Sequence, residues 1–143
     1  MSTPTQNVLL ARCSLALAIV ASGCASWSAD PSEVQDVTWT AVEINGHPVL
    51  SPPPGVLLSN GSLFGDSGCN SFSGEYSVVV NEISFQGGVL HQTWCAEPNA
   101  AQEEDFVSAF RSTATYEVDG NTMTLRAPDT ELVFARSTTD LPP

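Results

Sequence analysis

The sequence contains no lysine, and its only strong bases are four arginines. Sixteen aspartates and glutamates oppose them, so the 143-residue chain has a formal net charge of -12 at pH 7. A surface of this sign repels phosphate backbones and anionic lipid headgroups. The composition therefore excludes nucleic acid as a partner, and it excludes attachment to a membrane through a basic patch.

Histidine is also scarce, which limits general base catalysis. The stretch Gly65-Asp66-Ser67-Gly68 has the letters of the nucleophile loop in chymotrypsin-like serine proteases, but that chemistry also needs a histidine base and an orienting acid. The only histidines are His47 and His91, and 143 residues hold one domain rather than two barrels. Cys69 also replaces the second glycine that helps to frame an oxyanion hole. We therefore predict that Ser67 is a bystander and that the chain is not an enzyme.

Residues 1–23 have the pattern of a lipoprotein-type signal peptide. One base, Arg12, is followed by the apolar run CSLALAIVAS, which is shorter than a membrane-spanning helix requires. The next residues, up to Cys24, resemble a bacterial lipobox, although Ala21 stands where leucine is usual. We predict lipidation of Cys24 and an extracytoplasmic protein that is lipid-anchored in the bacterial cell envelope. The alternatives are ordinary cleavage nearby and an uncleaved anchor.

Four cysteines are present, and two of them belong to the N-terminal segment. Cys13 would leave with the signal peptide, and Cys24 would become the lipidated N-terminus. Cys69 and Cys95 then remain in the folded part, where two thiols in an oxidising compartment are expected to form a disulfide. The alternative is a pair of buried free thiols. A metal site of Cys69, Cys95 and His91 is not expected, because it lacks a clear fourth ligand and oxidised cysteines do not bind metal.

The remaining sequence divides into a tether, one domain and a tail. Residues 24–36 are small and polar, which is typical of a flexible tether, and residues 137–143 are predicted to be disordered. Residues 37–136 alternate apolar runs with turn residues and predict about eight or nine short antiparallel strands. Gly87-Gly88 is interpreted as one of the turns. A sheet that curls on itself would protect its edges.

One segment interrupts the strands and has helical periodicity. Phe106 and Phe110 are four residues apart, which places an apolar stripe on a helix at about residues 100–112. Asn99 is predicted to be the N-cap, with Gln102 as its capping-box partner. This helix would cover an open side or end of the curled sheet.

Two groups of side chains allow both a structural and a functional interpretation. Glu103 and Glu104 are interpreted as exposed acids that complement the helix dipole, rather than as paired catalytic carboxylates. Several aromatic residues of the strands either fill the core or line a cavity for an apolar ligand. These aromatic residues are Trp39, Phe72, Tyr76, Phe85 and Trp94.

Four motifs occur along the chain in a recognisable order. They are VTWTAVEINGHPV, GDSGCNSFSGEY, LHQTWCAEPNAAQEEDFVSAF and YEVDGNTMTL followed by ELVF. Together they resemble the META domain family of HslJ-like heat-shock and envelope lipoproteins over residues 37–136. The matching positions, to which the resemblance gives a structural role, are Gly68, Cys69, Asn70, Phe72, Gly74, Tyr76, Thr93 and Cys95, followed by Glu103 and Phe106. Trp94 departs from the pattern, since the family more often has methionine or another residue there.

The resemblance implies a mainly β fold: a small, antiparallel, partly open β-barrel with one amphipathic α-helix at about residues 100–112. Members of the family are associated with stress responses and antibiotic tolerance and have no established catalytic activity. We therefore expect a non-enzymatic envelope lipoprotein that acts through binding or scaffolding, as a monomer without a cofactor or metal. Its expected partners are the membrane, through the lipid, and an envelope protein. The alternatives are a carrier of a small hydrophobic ligand and an inhibitor or partner of an extracellular enzyme.

Overall fold

The computed structural model describes residues 30–90 and 93–137. The signal peptide, Cys24, His91 and the tail beyond Ser137 lie outside the described residues. The described chain begins with a 3-10 turn, Pro31–Glu33, and the next residue, Val34, is fully buried. The packed fold therefore begins within the predicted tether, before the first strand.

Among the described residues, nine antiparallel strands form one sheet that closes on itself. They are β1 (Val37–Ile44), β2 (His47–Pro48), β3 (Gly55–Ser59), β4 (Ser62–Asp66), β5 (Ser71–Val79), β6 (Glu82–Leu90), β7 (Ala114–Asp119), β8 (Thr122–Arg126) and β9 (Glu131–Arg136). Eight of them form a barrel in the order β1-β3-β4-β5-β6-β7-β8-β9, which the pairing of β1 with β9 closes. The short strand β2 pairs with the end of β1. The prediction of a small antiparallel barrel is confirmed, and the barrel is closed where a partly open one was expected.

The strand β6 continues through the two glycines that were predicted to form a turn. Gly87 and Gly88 have φ angles of 64° and 156°, and the register between β5 and β6 shifts between Ser73 and Glu75. An extra residue at such a shift forms a β-bulge, which bends a strand without ending it. The predicted turn is therefore wrong, and β6 extends to Leu90.

The helix α1 (Asn99–Ser108) continues as a 3-10 turn over Ala109–Arg111, which confirms the predicted helix at about residues 100–112. Its 3-10 turn packs against β6, whose pairing with β7 is the shortest in the barrel and consists of two residue pairs. The apolar stripe of the helix faces inward, with Phe106 fully buried and Phe110 nearly so. None of the helices among the described residues has the length and the apolar run needed to cross a lipid bilayer.

The predicted capping of this helix is wrong. The residue before α1 is Pro98, whose side chain makes no capping bond, and the Ala101 amide in the first turn donates to Glu97 Oε2 instead (3.3 Å). The Asn99 amide instead donates to the Ser51 carbonyl oxygen (3.3 Å), and Gln102 Oε1 accepts from the Leu50 amide (2.5 Å). Both side chains are used for tertiary contacts with the proline-rich loop, which competes with local capping.

Aromatic rings from the strands and the helix fill the barrel. Five phenylalanine rings contact one another with centroids 4.9 to 6.1 Å apart. They are Phe72, Phe85, Phe106, Phe110 and Phe134. Trp39 is fully buried and donates its indole N–H to the Val34 carbonyl oxygen (3.2 Å). This tryptophan therefore links the first strand to the segment before it.

The two ends of the barrel have different connections. At one end, which we call the hairpin end, two-residue turns join the strands at residues 60–61, 80–81 and 120–121. The segment before β1 also lies there, since the Asp36 amide donates to the Leu58 carbonyl oxygen (2.7 Å). At the other end, the loop end, a two-residue turn at 45–46 joins β1 to β2, and longer loops span residues 49–54, 67–70, 93–98 and 127–130. The family-motif residues Cys69, Asn70, Thr93 and Cys95 all lie at the loop end.

Candidate functional site

The GDSG segment ends β4 and forms a tight turn at the loop end. The Ser67 amide donates to the Asn70 carbonyl oxygen, and the Asn70 amide donates to Ser67 Oγ, both at 2.8 Å. The Gly68 amide donates to Asp66 Oδ1 (2.7 Å). Gly68 has a φ of 85°, and a Cβ atom at this position would overlap the Pro52 carbonyl oxygen. Glycine is thus required here both by backbone conformation and by close packing.

Asn70 connects this turn to two other parts of the loop end. Its side chain is almost fully buried, and its Oδ1 accepts from the Thr93 amide (2.6 Å) and the Thr93 hydroxyl (2.8 Å). Its Nδ2 donates to the Thr93 carbonyl oxygen (3.1 Å) and to Glu103 Oε1 (2.9 Å). Both amide hydrogens and the amide oxygen are therefore satisfied, which a buried polar side chain requires.

Glu103 is not an exposed acid that complements the helix dipole, and it has the structural role that the family resemblance implies. Its side chain is half-buried and accepts from Ser67 Oγ (2.7 Å) as well as from Asn70. It lies three residues before the buried Phe106, so both occupy the inner face of α1. That spacing was the signal that the sequence analysis missed. Glu104, in contrast, is exposed and pairs with Arg111 (2.8 Å).

A disulfide links the turn after β4 to the loop before α1. Cys69 and Cys95 are bonded, with Cα atoms 6.1 Å apart and a separation of 26 positions in sequence. Together with Glu103 they bring ligand-type atoms within 4.8 Å of one another. Because a bonded pair of sulfurs has no thiolate to offer, this group acts as a crosslink and not as a ligand set.

Ser67 is not the bystander that the sequence predicts. It is 1% exposed, and its hydroxyl accepts from the Asn70 amide and donates to Glu103. A substrate cannot reach this oxygen. The hydroxyl contributes instead to the buried network that joins the turn to α1.

The remaining motif residues support β5. Phe72 and Tyr76 are buried in the barrel core. Gly74 lies opposite the bulge, where a Cβ atom would come within 3.2 Å of the Gln86 and Gly87 carbonyl oxygens. The motif therefore combines a strand that fits the bulge with a turn that is crosslinked to the next loop.

The five aromatic residues that were considered as a cavity lining do not surround one cavity. Three of them, Trp39, Phe72 and Tyr76, are buried in the core, and Phe85 is half-buried. Trp94 is 86% exposed. A pocket of about 170 Å³ lies between the bulge and the helix, and Phe72 is its only member of the five.

The fold and the site define a class of protein: a small, closed antiparallel barrel whose loop end is held by a disulfide and by a buried asparagine. The chain belongs to the META domain family, whose profile matches residues 32–139. The match includes β1, the crosslinked motif, the helix and the last strand.

Individual proteins agree with this assignment. The chain is 25% identical to heat shock protein HslJ of Escherichia coli (strain K12) over 126 residues, which cover 84% of this chain and 90% of HslJ. An NMR structure with 24% identity has a TM-score of 0.65 and covers 74% of this chain and 93% of its own. An NMR structure of a protein from Burkholderia xenovorans, at 22% identity, has a TM-score of 0.61, with 76% and 86% covered. Both structures have the same fold.

Proposed function

We propose that the protein is a non-enzymatic lipoprotein of the bacterial cell envelope that binds another envelope protein as part of a stress response. The single observation that carries this proposal is that the polar side chains of the buried network at the loop end bond to one another. Ser67, Asn70 and Glu103 use their polar groups to hold loops together. A catalytic group must instead be accessible to substrate and within reach of a proton donor or acceptor.

The packing of the barrel argues against the alternative function of a carrier. Ligand pockets for small molecules usually have volumes of about 300 to 1,000 Å³. The pocket beside Phe72 and Phe110 has about 170 Å³, and the phenylalanine rings occupy the space around it. A larger cleft, of about 460 Å³, lies between the β1–β2 hairpin and α1 and not inside the barrel. An external binding surface therefore fits the described part of the chain better than an internal ligand site.

The N-terminal sequence supports a position close to a membrane. The described residues begin at Asp30, six residues after Cys24. Six residues span at most about 20 Å when they are extended. A lipid on Cys24 would thus hold the barrel near the bilayer. HslJ is named as a heat shock protein, which supports a role in stress for its relative.

Metabolic labelling with an alkyne fatty acid tests the anchor. We expect the wild-type protein to be labelled and to fractionate with membranes, because the thiol of Cys24 would carry the lipid. Cys24→Ala should abolish the label, and Cys13→Ala, which changes a residue of the signal peptide, should retain it. An unlabelled mature protein, or a label that survives in Cys24→Ala, would contradict the proposed anchor.

A fluorophosphonate probe tests the absence of serine hydrolase activity. We expect no labelling of Ser67 in the folded protein, because its hydroxyl is buried and hydrogen-bonded. Ser67→Ala should lower thermal stability without changing probe labelling. Labelling that disappears in Ser67→Ala would show that the serine is a nucleophile.

A further inference from the structure

The most exposed large apolar side chain among the described residues is Trp94. It is 86% exposed, whereas Phe64, on the outer face of β4, is 51% exposed. Isolated apolar side chains on a surface are ordinary in themselves. The unusual feature of Trp94 is the structure of the loop that presents it.

Both chain neighbours of Trp94 are fixed. Before it, Thr93 is held by Asn70 through its amide, its hydroxyl and its carbonyl oxygen. After it, Cys95 is held by the disulfide to Cys69. The backbone on either side of the indole is therefore anchored to the barrel, while the indole itself points to solvent.

A fixed backbone matters because a binding side chain that is already positioned loses less conformational entropy when it binds. Tryptophan is among the side chains most enriched at the energetic centres of protein interfaces, where it enters a pocket of the partner. The network and the disulfide hold an exposed side chain of this type at the loop end. Barrel stability alone does not require a tryptophan there, since this side chain buries almost no area.

The charges at the loop end indicate the chemistry of the partner. Three exposed acids lie at the same end: Asp66 before the crosslinked turn, Glu97 in the loop, and Asp105, which lines a cleft with Pro98. The arginines of the described residues are already engaged, with Arg111 and Arg126 paired to glutamates and Arg136 placed over the Trp39 ring. The loop end thus combines an apolar centre with an acidic border.

We propose that Trp94 is the anchor of a protein-binding surface at the loop end, and that its partner is an envelope protein with an apolar pocket bordered by basic residues. This inference depends on the proposed binding function and assigns it a site. A second copy of this chain would bring together two acidic borders, which repel each other. A lipid surface is disfavoured as well, because the segment leading to the N-terminus lies at the opposite, hairpin end.

Site-specific photo-cross-linking tests the location of this surface. A photoreactive phenylalanine analogue replaces the exposed Ala96 in the full-length protein, in its own cell envelope. A matched variant carries the analogue in place of Phe64, on the side of the barrel. We expect one discrete protein adduct from position 96, none from position 64, and loss of the adduct when Trp94→Ala is added.

The adduct is then identified by mass spectrometry, and the binding of the purified partner is measured by isothermal titration calorimetry. We expect Trp94→Ala to raise Kd at least tenfold, because it removes the side chain that fills the pocket. Phe64→Ala should leave Kd within about twofold. The melting temperatures of wild type and Trp94→Ala should agree, since the indole is exposed, and this agreement separates binding from folding.

A milder variant tests whether the fixed loop contributes to the affinity for the partner. Thr93→Val removes the hydroxyl that donates to Asn70 and retains the backbone contacts. We expect a Kd a few-fold higher, because the loop would have more freedom before binding.

The outcomes distinguish this inference from the proposed function. An adduct from position 64 but not from 96 would leave the binding function intact and overturn the assigned surface. Adducts at position 96 only with lipid, glycan or a second copy of the chain would overturn the assigned partner. An unchanged Kd in Trp94→Ala would overturn the role of the tryptophan. No protein adduct at either position would contradict the proposed binding function itself.

Discussion

The hairpin end and the loop end of the barrel hold the connections between strands in place with different interactions. At the hairpin end, each connection is two residues long, and backbone hydrogen bonds of the adjoining strands hold it. At the loop end, apart from the turn at 45–46, the connections have at least four residues and must be held by other means. Here a buried asparagine, a glutamate of the helix and a disulfide take that role.

This difference shows where the chain has freedom to carry function. The backbone conformation of a two-residue turn is determined by the strands on both sides, so it can vary little. A longer loop has to be fixed by tertiary contacts, and once it is fixed it presents side chains in a defined direction. Removing these contacts one at a time should therefore affect the two ends unequally.

The largest effect is expected from the disulfide. Replacing both cysteines (Cys69→Ser with Cys95→Ser) should lower the free energy of unfolding by about 3.5 kcal/mol on the chain-entropy model, since the bond joins residues 26 positions apart. Urea unfolding with and without a reducing agent measures this. The reducing agent should destabilise the wild type and leave the variant unchanged. Peptide mapping that finds both thiols free and alkylated in the unreduced wild type would contradict the prediction.

The second effect compares one asparagine from each end. Asn70→Ala should cost about 3 kcal/mol, because it removes one of the two donors to Glu103 and leaves the Thr93 amide without its partner at a partly buried site. Asn60→Ala, in the exposed turn at the hairpin end, should cost about 1 kcal/mol, since its φ of 48° disfavours alanine. Urea unfolding measures both values. Equal losses would show that the buried network is not the stronger element.

A stabilising change is expected at the hairpin end. Val80 has a φ of 59°, which is unfavourable for a β-branched residue, and its side chain is mostly exposed. Val80→Gly should raise the free energy of unfolding by about 1 kcal/mol through relief of this strain. Val79→Gly, at the neighbouring extended position, is the control and should destabilise the protein. A loss of stability in Val80→Gly would show that the valine side chain makes contacts that outweigh the strain.

The smallest effect concerns the pH dependence of the hairpin end. Burial raises the pKa of Tyr116, and the carboxylates of Glu33 and Asp30 raise it further. The unfolded state therefore ionises first, so the contribution of Tyr116 is complete below about pH 10 and is lost as the pH rises through the higher pKa of the folded state. Tyr116→Phe should cost about 0.5 kcal/mol at pH 7, through the hydrogen bond to Val80 (3.3 Å), and should lose less stability above pH 10.

Denaturation curves at pH 7, 9 and 11 test this. Tyr76 has a pKa shifted in the same direction by burial, so part of the alkaline loss should remain in the variant. A variant with the same pH profile as the wild type would show that Tyr116 does not contribute to it.

The elements that could be predicted from the sequence are those specified by local patterns. The strand β1 and the hairpins at residues 60–61 and 120–121 have alternating apolar residues and turn residues, and the helix has an apolar stripe at a spacing of four. The continuation of β6 was missed because a glycine pair has the same local signature in a bulge as in a turn. Asn99 and Gln102 were predicted to cap the helix, but both side chains form hydrogen bonds with the proline-rich loop instead.

The sequence by itself determined the fold class and the crosslink, because strand alternation, turn residues and the pairing of two remaining cysteines are local or countable properties. Only the tertiary structure decided what Glu103, Ser67 and Trp94 do. Whether an acid on a helix faces solvent or Asn70, and whether a tryptophan in a loop is buried or exposed, depends on which distant segments the barrel brings together. These contacts are set by long-range packing, which produces no fixed spacing of residues along the chain.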